Sequence, residues 1–147
     1  MNGPVLIAYD GSASADHAIA AAAALLPADS AVVLTAWETI VFAGPMGFAN
    51  PYIDPDVENA RGEPAAELAE RGAGIAREAG FASAEPRAEH AGQAAWATIL
   101  EVARERDASA IVLGARGLSP VKSALLGSIS HAVAQHSDRP VLIVPSP

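Results

Sequence analysis

Pro4-Val5-Leu6-Ile7-Ala8-Tyr9-Asp10-Gly11-Ser12 opens the chain with a short, continuous apolar run and closes that run with a turn. A run without polar alternation reads as a strand buried on both faces, which is the kind found in parallel sheets covered by helices. Ser12 or Ser14 can cap the Ala-rich stretch from Ala15 to Leu26, and Pro27-Ala28-Asp29 stops it, so a helix follows the strand. The alternation then repeats downstream. Ala31 to Trp37 has the length and β-branching of a second buried strand. From Ile40 to Pro55 the pattern dissolves into Gly, Pro and aromatics, which reads as a long loop: a lid, a partner surface or a mobile segment. A helical period returns at Ala65, Leu68, Ala69, Gly72, Ile75, Ala76 and Ala79, with Gly80 placed to end the helix. Ala84 to His90 alternates around Pro86, as an edge strand does. Trp96, Ile99, Leu100 and Ala103 mark the apolar face of another helix, with Trp96 expected in the core. Ala110 to Gly114 is a strand, about Ser128 to Gln135 a helix, and Val141 to Val144 a last strand introduced by Pro140. The order β-α-β-α-β-α-β-α-β implies right-handed crossovers and an α/β fold, with an open, mostly parallel sheet and helices on both faces.

Composition narrows the function. The 147 residues suit one domain spanning 1–147, and 51% hydrophobic residues supply a core without cross-links. The absence of cysteine excludes a disulfide scaffold, a thiol nucleophile, a Cys-type zinc site and an iron–sulfur cluster. A net charge of −8 and a pI near 4.8, with nine scattered Lys and Arg, argue against nucleic acid as a partner. The longest apolar run, Ala18 to Leu26, is too short for a bilayer span, and Met1-Asn2-Gly3-Pro4 has no basic start. A cytoplasmic protein without membrane attachment is expected.

In open parallel sheets ligands bind beyond the carboxyl ends of the strands, where neighbouring connections diverge to opposite faces. Asp10-Gly11-Ser12 leaves the first strand there. Gly114-Ala-Arg116-Gly117 leaves the fourth, followed after nine residues by Gly127-Ser128-Ile129-Ser130. Glycines at such exits let backbone approach an anion, and amides of Gly127, Ser128 and Ile129 at a helix start can donate to phosphate oxygens. Ser128 and Ser130 add hydroxyls. Asp10 suits a ribose hydroxyl or a metal bound to phosphates. The competing reading is that the glycines make turns and the serines cap a helix; Arg116 is open between a phosphate contact and a surface ion pair.

Gly114-x2-Gly117-x9-Gly127-Ser128, with an Asp after the first strand and a closing Arg139-Pro140-Val-Leu-Ile-Val144, resembles the universal stress protein family over essentially the whole chain. The resemblance implies a five-stranded parallel sheet of order 3-2-1-4-5 and, for the branch carrying this motif, ATP binding with Mg or Mn. It would place Gly114, Gly117, Gly127 and Ser128 on the phosphates and ribose, Asp10 near the ribose and a divalent ion, and the backbone of Ala36 near adenine. It further implies a homodimer through the last strand, Val141 to Val144. The implied role is a nucleotide-dependent stress-response regulator with slow or no hydrolysis; the alternatives are a nucleotide-free homodimeric scaffold and a slow ATPase or phosphotransferase.

Other chemistries lack their residues. Lys122-Ser123 is preceded by Val121, with Arg116 where a Walker loop needs its first Gly, so that motif is absent and Lys122 reads as a solvated loop lysine. Asp10-Gly-Ser-Ala-Ser is not the Ser-Gly-Gly-x-Asp-Ser loop of adenylate-transferring relatives. His17, His90, His131 and His136 read as surface or packing residues, and no Gly-x-Ser-x-Gly elbow accompanies Ser12. No catalytic residue is assigned. Trp37 either floors the long loop or flanks adenine, and Phe42, Met46, Phe48 and Tyr52 either cover a ligand or partner or pack loosely.

Overall fold

The computed structural model describes residues 3–38, 55–92, 94–116 and 126–147, and for 55–63 the backbone. The elements run β1 (Val5–Ala8), α1 (Ala13–Leu25), β2 (Ser30–Trp37), α2 (Pro55–Ala79), β3 (Ser83–His90), α3 (Ala95–Glu105), β4 (Ala110–Gly114), α4 (Ser128–His136) and β5 (Val141–Val144). All four strand pairings are parallel and give one sheet of order β3-β2-β1-β4-β5. Val5 stands opposite both Ala31 and Ala110, so β1 is the central strand.

The unalternated apolar runs are explained by two cores, one on each face. Val5, Ile7, Tyr9, Val33 and Val112 point toward α1 and α2, where they meet Ile19, Ala22, Ala73 and Ala76. Leu6, Val32, Leu34, Ile111 and Leu113 point the other way, against Ile99, Leu100, Ala103 and Val133 of α3 and α4. Leu6, Ile7, Ile111 and Val112 are each fully buried. Burying such a side chain is worth about 1.5–3 kcal/mol. Alanine on α1 and α2 brings those helices close to the sheet. Gly72 takes this furthest, because a Cβ there would stand 2.7 Å from the Tyr9 ring and 2.8 Å from Val33. This glycine weakens the helix as an isolated element but lets it seat on the sheet.

Pro86 sits in β3, paired on one side with Val33 of β2, and the strand is an edge as its proline requires. Its charged residues are tied to α3 and its C-cap, Arg87 to Glu105 and Glu85 to Arg106, while Arg87 also pairs with Glu89 within the strand. Two expectations change. The helix before β3 starts at Pro55, ten residues ahead of the first periodic alanine, with Pro64 inside it; polar residues, Gly62 and Pro64 conceal that first stretch from a reading based on apolar period. Trp96 lies at the margin of the second core, half-buried, with the His136 ring stacked on it at 4.7 Å. The stretch 39–54, with Phe42, Met46, Phe48 and Tyr52, lies outside the described residues, as do Gly117, Lys122 and Ser123.

Candidate functional site

β1 leads into α1 on one face of the sheet and β4 into α4 on the other, so the connections part at the neighbouring ends of these two strands. A cleft of about 270 Å³ opens there. It runs across three strand ends. Leu34 and Ala36 of β2 form one end with Ala95 and Ile99 of α3; Ala8, Tyr9 and Asp10 form the middle; Leu113, Gly114 and Arg116 form the other end with Gly127 to Ser130. With strands about 4.8 Å apart, the distance from the β2 end to the β4 end is about 10 Å.

The two ends differ in chemistry. At β4, Gly127 is the N-cap of α4; its own amide, expected on a phosphate, instead donates to the Ala115 carbonyl at 2.8 Å, and among the described residues no side chain caps the helix, so the amides of Ser128 and Ile129 are left at the cleft without a side-chain acceptor. This end suits an anion. At β2 the walls are aliphatic and small. Asp10 lies between. Its Oδ1 accepts from the Ser12 amide at 2.9 Å, which closes a tight turn and leaves Oδ2 for a ligand. Among the described residues no group of three or more His, Cys, Asp or Glu is arranged to hold a metal ion.

Eight of the sequence-expected residues share this cleft: Asp10, Ala36, Gly114, Arg116, Gly127, Ser128, Ile129 and Ser130. Gly11 and Ser12 stand outside the lining and do structural work. Gly11 has φ +80°, which glycine adopts without strain, and a Cβ would come within 2.9 Å of Leu68 on α2. Ser12 caps α1, its Oγ accepting from the Ala15 amide at 3.1 Å. Gly117 falls outside the described residues.

Ser130 lines the cleft, yet its hydroxyl donates to the Gly114 carbonyl at 2.8 Å and is buried. That proton ties α4 to β4 and is not free for a phosphate; the oxygen can still accept. The two motif glycines also separate. A Cβ on Gly114 would overlap the Ser14 hydroxyl and stand 3.0 Å from the Ser14 Cβ and carbonyl carbon, so Gly114 is small because α1 crosses it. A Cβ on Gly127 would meet Ala115 O at 3.4 Å and Arg116 Cα at 3.9 Å, ordinary contacts, and its φ of −59° and ψ of 156° suit any L-residue. Neither backbone nor described neighbours require glycine at 127.

Several lining residues were not singled out from the sequence. Leu34, Ile99 and Leu113 read as core, and they are; the cleft simply reaches their upper ends. Tyr9 is 2% exposed, its hydroxyl donates to Asp16 Oδ1 at 2.6 Å, and the Arg71 guanidinium lies 5.9 Å over its ring. Burial first, and then the bond to Asp16, raises the phenol above its ordinary pKa. Of the histidines, His17 and His131 are exposed, while His90 packs on Trp37 with ring centroids 4.3 Å apart.

Fold and cleft together define an open α/β domain with its cleft at the β1/β4 divergence, uncapped helix amides at one end and aliphatic walls at the other. A model of the universal stress protein family matches residues 1–145, and the chain belongs to that family. It is 43% identical over 88 residues to the universal stress protein YxiE of Bacillus subtilis, a match that spans 60% of this chain and about half, 49%, of that protein's length. A universal stress protein from Archaeoglobus fulgidus superposes with a TM-score of 0.67 at 25% identity, covering 97% of this chain and 98% of that one. A universal stress protein solved in complex with cAMP superposes with a TM-score of 0.66 at 26% identity, covering 99% and 98%.

Proposed function

We propose that this protein binds ATP in the cleft, together with a divalent ion such as Mg or Mn, and acts as a nucleotide-dependent regulator or sensor in the stress response. The observation that carries the reading is Gly127: a glycine that neither its backbone nor its described neighbours require, at the uncapped start of α4, on the wall of the cleft. A phosphate resting on those amides gives the missing side chain a reason. The order of the cleft suits the same ligand, with phosphates at α4, ribose hydroxyls at Asp10 and the base between Ala36 and Ala95. The family member that holds cAMP, which has base, ribose and phosphate, supports the ligand class. With a chain charge of −8, the anion is held by backbone amides and hydroxyls, with Arg116 at the rim.

Hydrolysis is slow or absent in this reading. Among the described lining residues Asp10 is the one carboxylate and none is a histidine, while fast phosphoryl transfer uses a positioned base or water and several charge-stabilising groups. The protein works in the cytoplasm as a homodimer formed along β5, whose Val141, Leu142 and Ile143 are half-buried at the sheet edge. A nucleotide-free scaffold is the second reading, favoured by the structural duties of Gly11, Ser12 and Gly114.

The purified protein, denatured and its supernatant chromatographed, is expected to release adenine nucleotide, and millimolar Mg-ATP is expected to raise its melting temperature. No nucleotide and no shift would leave the scaffold reading. Sedimentation equilibrium on Leu142→Lys, expected to be monomeric beside a dimeric wild type, checks the β5 contact.

A further inference from the structure

The end of the cleft formed by β2 and α3 is held together by a residue outside its lining. The first turn of α3 contains no acidic residue, and its N-cap, Ala94, has no side chain able to accept a hydrogen bond. The need is met from another element: Glu38, directly after β2, accepts from the Ala95 amide through Oε1 at 3.0 Å. The same junction carries the Ala91 amide on the Trp37 carbonyl at 2.8 Å, and the Ala94 amide on the Ala91 carbonyl at 3.1 Å. Ala36 and Ala95, two residues before the carboxylate and at the amide it holds, both line this end of the cleft.

We propose that Glu38 is a positioning residue for base recognition, fastening the start of α3 to the exit of β2 and so fixing the width of the slot between Ala36 and Ala95. The proposal rests on the nucleotide reading above and adds to it the group that sets base preference. Both walls end in single methyl groups, so slot width follows backbone separation, and that separation depends on a hydrogen bond from a charged acceptor bridging two elements. A planar base packed between two fixed walls is sensitive to displacements of about 1 Å. Losing a charge-assisted bond of this kind corresponds to about a tenfold change in affinity when it is expressed in binding.

The test uses the full-length protein, with ATP, UTP and inorganic tripolyphosphate measured by calorimetry. Glu38→Asp keeps the charge but is one methylene too short to reach the amide, and Glu38→Gln keeps an acceptor at the same reach. Glu38→Asp is expected to bind ATP about tenfold more weakly and to shrink the ATP-over-UTP preference, with tripolyphosphate affinity unchanged and amide exchange accelerated at Ala95 to Thr98; Glu38→Gln is expected to restore the preference. A purely structural role would lower the melting temperature and leave the ATP-to-UTP ratio as in wild type, and that result overturns the proposal while the nucleotide reading stands. A wild type that binds ATP and UTP equally overturns it too. A wild type that binds neither overturns the nucleotide reading itself, and this proposal with it.

Discussion

Replacing each of the two described motif glycines separates what the fold needs from what a ligand needs. Gly127→Ala puts a Cβ 3.4 Å from Ala115 O and 3.9 Å from Arg116 Cα, on backbone that already has L-residue angles. Alanine is a poorer N-cap than glycine by about 0.5–1 kcal/mol, and the stiffer unfolded chain offsets this by about 0.4–1 kcal/mol. Urea denaturation of the ligand-free protein is therefore expected to match wild type within about 1 kcal/mol. Gly114→Ala drives a Cβ into the Ser14 hydroxyl and within 3.0 Å of two further Ser14 atoms, one of them backbone. Overpacking of this sort costs about 1–3 kcal/mol. Ser14→Ala in the same chain should recover part of it, because the overlapping oxygen is gone while the close Cβ and carbonyl carbon remain.

Binding should rank the variants in the opposite order. Gly127→Val fills the space beside the first amides of α4, and losing two charge-assisted hydrogen bonds of about 1.5 kcal/mol each weakens a phosphate ligand by more than about a hundredfold. At a nucleotide concentration about 100 times the wild-type Kd, ligand adds about 2.7 kcal/mol to wild type but about 0.4 kcal/mol to a variant bound a hundredfold more weakly. In a thermal melt of a chain this size that is a rise of about 5–10 °C against about 1 °C. If Gly127→Val binds ATP as wild type does, the anion end of the cleft is misassigned. If ligand-free Gly127→Ala is destabilised as much as Gly114→Ala, the steric reasoning fails even where the binding result agrees.

Ser130→Ala removes a buried hydroxyl that donates to the half-buried Gly114 carbonyl and should cost about 1 kcal/mol in urea denaturation, since that bond ties α4 to β4. Asp10→Asn keeps an oxygen for the Ser12 amide but loses the charge, so it should fold normally while the Mg-dependent part of ATP affinity falls; Asp10→Ala should lose stability as well, because the turn opens. Glu105 is held below its ordinary pKa by the Arg87 guanidinium and Asp138 by that of Arg139. A depressed folded-state pKa contributes stability above the unfolded value that is lost as pH falls through the folded one. Glu105→Gln with Asp138→Asn should therefore flatten the decline in stability below about pH 4, as followed by circular dichroism. The Tyr9 phenol is raised, so it resists ionisation in the folded state, and stability should fall as pH climbs past about 10. Tyr9→Phe should remove that alkaline limb and, by leaving Asp16 without its 2.6 Å donor, cost about 1–3 kcal/mol at neutral pH.

The sheet was legible because its signal is redundant. Pro4 to Tyr9, Ala31 to Trp37 and Ala110 to Gly114 are apolar on both faces and can be buried in few other ways, and Pro86 named its strand as an edge before any pairing was known. The order 3-2-1-4-5 came from resemblance, since periodicity does not say which strand pairs with which. The start of α2 was hidden because Gly62, Pro64 and a run of polar residues erase the apolar stripe, which becomes readable only from Ala65. Of the cleft, strand exits and helix starts were legible because the position of a ligand site in an open sheet follows from topology. Glu38 was not. It belongs to α3 by function and to β2 by sequence, 57 residues from the amide it holds, and nothing local in either segment advertises the bond.

The glycine motif shows why spacing alone leaves two readings open. Gly11 answers to φ and to Leu68, Gly114 to Ser14, and Ser130 to the Gly114 carbonyl. A chain with no ligand would need these residues just as much, so their presence bears on how α1, α2 and α4 dock around β1 and β4. Gly127 differs because its backbone angles are common ones and a side chain there has room among the described residues, so a folding argument would replace it with Asn, Asp or Ser, which cap a helix better. Any of those caps would take up the amides of α4 that face the cleft. A glycine that declines to cap, at a helix start on the wall of the cleft, keeps the Ser128 and Ile129 donors available, and the free energy that a capping side chain would have contributed to folding is left for the anion to supply on binding.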